Sequence, residues 1–310
     1  MIDFGLSEEQ EALQRAAREF LARECPPALV RETAKAPDGV PRALYAKMAE
    51  LGWMGLVVPE ADGGLALSTL DLALVLEELG RAAAPGPSLP TQLVIHALLR
   101  AGSAAQRTAW LPRLVAGECF AALAYLEESD RHDPGGIMLA ARRTRDGWRL
   151  GGTKLFVMGV PGAELLLVAA RTGRNAVSLF LVETSAPGVR VRPAETIDLT
   201  RRMGEVHLRD VAVERIGPGT ALAEMIRVEQ QATARMPRAS HEIAHARQRV
   251  PVFAERVELE RQAHAVALGD VTDLANARDR PLRVTDAFVD RAHHRRAPER
   301  RGPPARLVED

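Results

Sequence analysis

The first 117 residues carry apolar positions at the spacing of amphipathic helices. Ser7 and Gln10 form a capping box at the start of the first helix, and Pro26-Pro27 stops that helix. Ser68 and Gly80 are the predicted N-cap and C-cap of the third helix. The predicted helices span 7–24, 41–52, 69–80, 91–101 and 104–116.

Three segments between these helices carry a different pattern. Residues 55–59 are apolar and predict an extended segment, and the Asp-Gly-Gly at 62–64 predicts a turn. Residues 85–90 are rich in proline and predict a loop.

After Glu118 the apolar period changes from that of a helix towards the alternation of a strand. Asp146-Gly147 is a hairpin signal. The predicted strand segments are 120–126, 148–150, 165–170, 177–182, 205–208 and 211–213. Short strands at this spacing predict an antiparallel sandwich or barrel. The helical pattern resumes over 220–231, so the order is helices, then sheet, then helix, which excludes a βαβ fold.

Composition narrows the class of protein. The chain has 310 residues, with 41 basic and 41 acidic side chains, which argues against a nucleic-acid binder. We find no apolar run long enough for a membrane span and no signal peptide at the N-terminus. The two cysteines, Cys25 and Cys119, have no metal-binding spacing and fit a reducing compartment such as the cytoplasm.

The composition changes near residue 228. Only two of the 24 glycines and none of the three lysines lie after it, and leucine also becomes scarce. Our hypothesis is that the reading frame slips after this point and that the chain stops prematurely.

The sequence also has no P-loop, no GxSxG, no HExxH and no GxGxxG.

A series of segments resembles the acyl-CoA dehydrogenases, in order and in spacing, over residues 3–228. The segments are Ser7-Glu8-Glu9-Gln10, Leu51-Gly52-Trp53-Met54-Gly55-Leu56, Val58-Pro59-Glu60, Leu76-Glu77-Glu78-Leu79-Gly80, Gly151-Gly152-Thr153-Lys154-Leu155-Phe156-Val157, Leu167-Val168-Ala169-Ala170-Arg171-Thr172, Leu179-Phe180-Leu181-Val182 and Ala186-Pro187-Gly188-Val189. The chain is most similar to the divergent branch typified by the small subunit of pimeloyl-CoA dehydrogenase.

The resemblance implies a multidomain α and β protein. An N-terminal helical domain would span 1–118, a middle antiparallel β domain 119–217, and an incomplete C-terminal helical bundle 218–310. In the family, FAD lies between the β domain and the bundle, and an electron-accepting flavoprotein is a partner. The implied reaction is α,β-desaturation of an acyl-CoA thioester, in which a glutamate removes the α proton and the flavin takes the β hydride. A homo-oligomer or a hetero-oligomer with another family subunit is implied as well.

The family's first flavin segment, roughly Thr-Glu-Pro-x-Ala-Gly-Ser-Asp, aligns with residues 126–133. Glu127 and Asp133 match it, whereas Leu126 replaces the threonine and His132 replaces the serine. Tyr125 and Leu126 are expected to pack near the flavin ring. For Glu127 the alternative interpretation is a surface carboxylate at the end of a strand.

The second flavin segment, Lys-x-Trp-Ile-Thr-Asn, aligns with residues 154–159. Phe156 is expected to replace an aromatic wall, and Met158 cannot supply the hydroxyl group of the family's threonine. Both side chains could equally be core residues. Arg202 stands where the family has a β-domain arginine, with a surface arginine as the alternative. His132 and Arg202 are the predicted substrate contacts.

The catalytic base is the least defined residue. In some branches it lies on the first bundle helix, where Glu229 falls, and a solvated helix glutamate is the alternative interpretation. Two further interpretations of the whole chain stay open: a non-catalytic subunit of a hetero-oligomeric acyl-CoA dehydrogenase, and an inactive truncated product.

Overall fold

In the computed structural model of the chain, residues 5–129, 131–174 and 176–218 are described, without the side chains of residues 217 and 218. The predicted helix at 220–231, Glu229 and the proposed frame slip lie outside them. Six α-helices come first: α1 Glu8–Glu24, α2 Pro27–Thr33, α3 Arg42–Glu50, α4 Thr69–Arg81, α5 Ser88–Ala101 and α6 Ala104–Val115. No helix within the described ranges is long and apolar enough to cross a membrane.

Local capping chemistry starts three of these helices. Ser7, Ser68 and Ser103 each accept the backbone N–H three residues later, and that third residue bonds back to the serine N–H. The predicted box at Ser7 and the predicted N-cap at Ser68 are therefore confirmed. Buried Glu78 of α4 receives two hydrogen bonds from Arg18 of α1, at 2.9 and 3.1 Å, which ties these two helices together.

The predicted stop of the first helix at Pro26-Pro27 is confirmed, since α1 ends at Glu24, and Pro27 also begins α2 because proline suits the first turn of a helix. Three local expectations are wrong. Helix α5 starts at Ser88, inside the predicted loop. Helix α4 runs through Gly80 to Arg81 and ends with Ala82 as its C-cap. Residues 55–59 form turns instead of an extended segment, because the loop at 65–67 donates its amides to the carbonyls of Gly55, Leu56 and Val58.

Seven strands follow within the described part of the chain: β1 Ala121–Ala124, β2 Ala141–Thr144, β3 Gly147–Met158, β4 Leu165–Gly173, β5 Ala176–Glu183, β6 Val189–Pro193 and β7 Met203–Pro218. Their order is β1-β4-β5-β7-β3-β2, with β6 also on β7. All of these pairs are antiparallel except β1 with β4, so the antiparallel prediction holds for every other pair. The long β7 belongs to both sheets, with β1, β4 and β5 in one and β2, β3 and β6 in the other.

Strand β4 is buried on both faces and separates two hydrophobic cores. Leu165, Leu167 and Ala169 face the helices, in one cluster with Phe120. Leu166, Val168 and Ala170 face the second sheet, in a cluster with Phe180, Leu150, Val206 and Leu208. Burial on both faces explains why the sequence of β4 is a continuous run of apolar residues. The strand also packs the sheet against the helices.

Candidate functional site

The end of β1 and a bulge in β3 meet beside each other. Strand β1 ends at Ala124, so Tyr125, Leu126 and Glu127 leave the sheet together. The register of β3 against β7 shifts between Lys154 and Val157. At this bulge Leu155 donates its amide to the carbonyl of Leu126, at 2.9 Å. The two flavin segments predicted from the sequence are therefore neighbours in space.

A buried ion pair joins the same two segments. The Lys154 side chain is 0% exposed, and its ammonium group donates to Glu127 Oε1 at 2.6 Å and to the Tyr125 carbonyl at 3.2 Å. Burial lowers the pKa of Lys154 to about 8, although the hydrogen bond to Glu127 and its charge act in the opposite direction. Lys154 thus depends on Glu127 to stay protonated near neutral pH.

The Glu127 carboxylate has a second set of partners. It accepts the backbone amide of Met138 at 2.9 Å and that of Leu139 at 3.0 Å. Its side chain is 11% exposed, so the alternative interpretation of a surface carboxylate is wrong. Glu127 closes the chain between itself and Leu139 into a loop whose base is fixed by charge-assisted hydrogen bonds.

Phe156 lies in the bulge with a φ of +50° and is 57% exposed. A positive φ is costly for an aromatic residue, and such strain is concentrated at functional sites. Its exposure excludes the alternative that Phe156 is a core residue. Met158, the last residue of β3, is half-buried opposite Met203 of β7.

Tyr125 forms a polar contact with His132, which lies in the loop between Glu127 and Leu139. The Tyr125 hydroxyl group lies 3.0 Å from His132 Nδ1, and the two rings meet edge to face. Tyr125 is buried and His132 is exposed, so the imidazole is held at the surface beside the two flavin segments. The structure brings this predicted substrate contact together with the predicted cofactor residues.

Arg202 lies elsewhere. Its guanidinium group donates to the carbonyls of Ala34, at 2.5 Å, and Ala36, at 3.2 Å, and its stem fills the space beside Gly39. These contacts anchor the segment between α2 and α3, and the substrate role of Arg202 stays a prediction.

A groove of about 380 Å³ in this part of the helices, lined by Leu29, Val40 and Lys47 among others, includes none of the predicted site residues.

Two residues of the site received no role from the sequence. The sequence places Lys154 only within a matching segment and gives no role to Met138, whose backbone amide donates to Glu127 and which is 67% exposed. The sequence signal that points to Lys154 is the rarity of lysine, because only three of the 41 basic residues of the chain are lysines. No local pattern marks Met138.

The apolar part of this residue set fits a flat aromatic group such as the ring system of FAD. Phe156 and Met138 are exposed, and buried Tyr125 and Leu126 directly follow β1, beside the bulge that holds Phe156. Leu126 and Met158 carry no hydroxyl group, so at these positions only backbone groups could supply polar contacts to the ring if FAD were bound.

Comparison with protein families agrees with this architecture. Residues 7–118 match the acyl-CoA dehydrogenase N-terminal domain, and residues 122–211 match the acyl-CoA dehydrogenase middle domain. The mitochondrial isovaleryl-CoA dehydrogenase of Pongo abelii is 33% identical over 193 residues, which cover 59% of this chain and 46% of that protein. The acyl-CoA dehydrogenase of Bacillus subtilis is 29% identical, with 61% and 52% covered. The chain thus spans about half the length of these relatives.

A solved structure described as the Tcur3481-Tcur3483 steroid ACAD G363A variant has 33% identity and a TM-score of 0.66, with 74% of this chain and 62% of that one covered. The ChsE4-ChsE5 complex from Mycobacterium tuberculosis has 27% identity and a TM-score of 0.69, with 76% and 64% covered.

Proposed function

Because the chain belongs to the acyl-CoA dehydrogenase family, we propose that it takes part in the FAD-dependent α,β-desaturation of an acyl-CoA thioester. One observation carries the proposal: residues 125–127 and 154–158 meet at a single place, where Phe156 is 57% exposed. This arrangement presents an exposed aromatic side chain on segments that hydrogen bonds hold in place, as a bound aromatic cofactor requires.

The proposed roles follow from position. Phe156 would contact one face of the ring, and Tyr125 and Leu126 would line its edge. Met158 would complete the apolar surroundings. Glu127 would hold the loop and would not itself touch the reacting atoms, because its carboxylate is occupied by Lys154 and two amides. FAD, when bound, would supply the acceptor for the β hydride.

We assign removal of the substrate α proton to Glu229, which lies outside the described residues. A carboxylate can act as this base only if water is excluded and the thioester carbonyl is polarised. His132, held by Tyr125 at the rim of the site, would contact the acyl-CoA, and Arg202 is the second proposed substrate contact.

A second candidate function is that of a non-catalytic subunit in a hetero-oligomeric acyl-CoA dehydrogenase. The observation that favours it is the replacement of both hydroxyl-bearing positions by Leu126 and Met158. Two similar solved structures carry paired names, Tcur3481-Tcur3483 and the ChsE4-ChsE5 complex, which is consistent with such an assembly. In either case we propose an electron-accepting flavoprotein as a further partner and the cytoplasm as the compartment, since both cysteines are free and buried.

The test is flavin binding by the full chain. We expect the protein to quench FAD fluorescence on titration and to reduce a dye when an acyl-CoA is added. Phe156→Ala should weaken FAD binding roughly three- to tenfold, the range typical of a lost aromatic contact. The matched control is Ile197→Ala, since Ile197 is 72% exposed and lies outside the site.

Each alternative has its own outcome. A folded, colourless chain that binds no FAD and co-purifies with an acyl-CoA dehydrogenase would overturn the enzyme assignment in favour of the non-catalytic subunit. Insoluble protein under all conditions would support the inactive product.

A further inference from the structure

Lys154 is an unusual residue for its position. An ammonium group is costly to bury, and the Lys154 side chain is 0% exposed. Of the three lysines in the chain, Lys47 forms a Lys–Glu pair of similar length, 2.5 Å to Glu24, but with half of its side chain exposed. Burial of Lys154 therefore calls for an explanation beyond surface charge pairing.

The contacts of Lys154 all lead to the candidate site. Its ammonium group holds the Tyr125 carbonyl and the Glu127 carboxylate, and Glu127 holds the amides of Met138 and Leu139. One positive charge thus links the end of β1 to the segment that precedes β2. These two segments are 11 to 12 residues apart along the chain.

The same residue also bears on Phe156. Lys154 is the last residue of β3 in register with β7 before the bulge, and Phe156 follows two positions later with its φ of +50°. A strained conformation persists only where the surroundings fix it. The hydrogen bonds of Lys154, with that of Leu155 to Leu126, fix the strand at this point.

We propose that Lys154 is the positioning residue of the flavin site: through Glu127 it holds the loop 127–139, and through the bulge it sets the position of Phe156. Lys154 itself does not touch the cofactor. The inference rests on the proposed function, because the site that it orders is the proposed FAD site.

The experiment compares Lys154→Met and Glu127→Gln with Lys47→Met as the matched surface control, all in the full chain. Hydrogen exchange of the Met138 and Leu139 amides is measured first, without FAD. We expect both site variants to speed exchange at these amides by about tenfold or more, since their acceptor is displaced or weakened. Lys47→Met should leave it unchanged.

The second measurement separates positioning from general stability. The visible absorption spectrum of bound FAD should differ between Lys154→Met and the native chain, because the ring surroundings change, and its affinity should fall about tenfold. A variant that is only less stable would bind FAD with the native spectrum at temperatures well below its unfolding midpoint. Should Lys154→Met not fold, Glu127→Gln, which keeps the shape of the side chain, gives the same two readouts.

The two proposals fail in different ways. Unchanged exchange at Met138 and Leu139 in both variants would overturn the positioning role, whether or not FAD binds. Loss of amide protection in the variants, together with no FAD binding by the native chain, would retain the loop-holding role of Lys154 and overturn the proposed function.

Discussion

At the scale of single residues, the Lys154–Glu127 pair is the feature from which most follows. Its two members are 27 residues apart in sequence, and both lie in segments that match the family. The sequence therefore places Glu127 and Lys154 in the two flavin segments, but it does not predict that they pair. The pairing depends on the path of β3 at its bulge, which no local pattern shows. The role of Met138 was hidden for the same reason, since its backbone rather than its side chain makes the contact.

The lowered pKa of Lys154 predicts a pH dependence of stability. Burial lowers this pKa from 10.5 to about 8 in the folded chain. Below pH 8 the lysine is protonated in both states; between pH 8 and 10.5 only the unfolded state holds the proton, so the free energy of unfolding rises with pH. Relative to Lys154→Met, the native chain should gain about 2–3 kcal/mol between pH 7 and pH 10.

Urea unfolding of both proteins at several pH values measures this difference. Taking the difference removes the contribution of other groups, such as Cys119, whose pKa burial raises to about 11. A constant difference across this pH range would show that Lys154 titrates as an exposed lysine does.

At the scale of elements, the serine N-caps were predictable, whereas the C-cap of α4 and the tertiary contacts were not. The serine caps act within three residues, so the sequence contains the whole interaction. The prediction of an extended segment at 55–59 is wrong because the carbonyls of this segment accept hydrogen bonds from a loop some ten residues later. That tertiary contact overrides the local pattern. The strand predicted at 165–170, by contrast, is confirmed as part of β4, and its continuous apolar run agrees with burial on both faces.

In the turn that follows residues 55–59, Gly63 and Gly64 are neighbours whose alanine variants can be compared directly. Gly63 has a φ of +86° and nothing within 4 Å of an added Cβ, whereas a Cβ on Gly64 would lie 2.1 Å from the Val58 carbonyl oxygen. Gly63→Ala should therefore cost only the backbone strain, about 1–2 kcal/mol. Gly64→Ala should cost at least about 3 kcal/mol, because the backbone of the turn must move. Thermal unfolding of both variants checks the order, and equal losses would contradict it.

At the scale of the whole molecule, the helices and the sheet share one core. Leu167 is 0% exposed in the cluster that joins them. We therefore expect the helices and the sheet to unfold together, and Leu167→Ala to lower the stability of both by about 2–5 kcal/mol.

Tryptophan fluorescence can follow the two parts separately. Trp148 lies in β3, and Trp53 and Trp110 lie among the helices. Trp148→Phe leaves only the helical signals, and the double variant Trp53→Phe/Trp110→Phe leaves only the sheet signal. Leu167→Ala should shift the midpoint equally in both backgrounds, and Leu199→Ala, at an exposed position, should shift neither. Separate midpoints would show that the two parts unfold independently.

The edges of the two sheets have a consequence for self-association. At the β1 edge, Thr91 of α5 receives the Ala121 amide at 3.1 Å and donates to the Ala121 carbonyl at 3.3 Å, so a helix side chain takes the place of a neighbouring strand. The β2 edge carries exposed Arg142 and Arg143, and the β6 edge carries exposed Arg190 and Arg192. Covered or charged edges disfavour the addition of a foreign strand. The edges of the described sheets are therefore poor templates for pairing with a strand of a second molecule, although the strands themselves are rich in apolar residues.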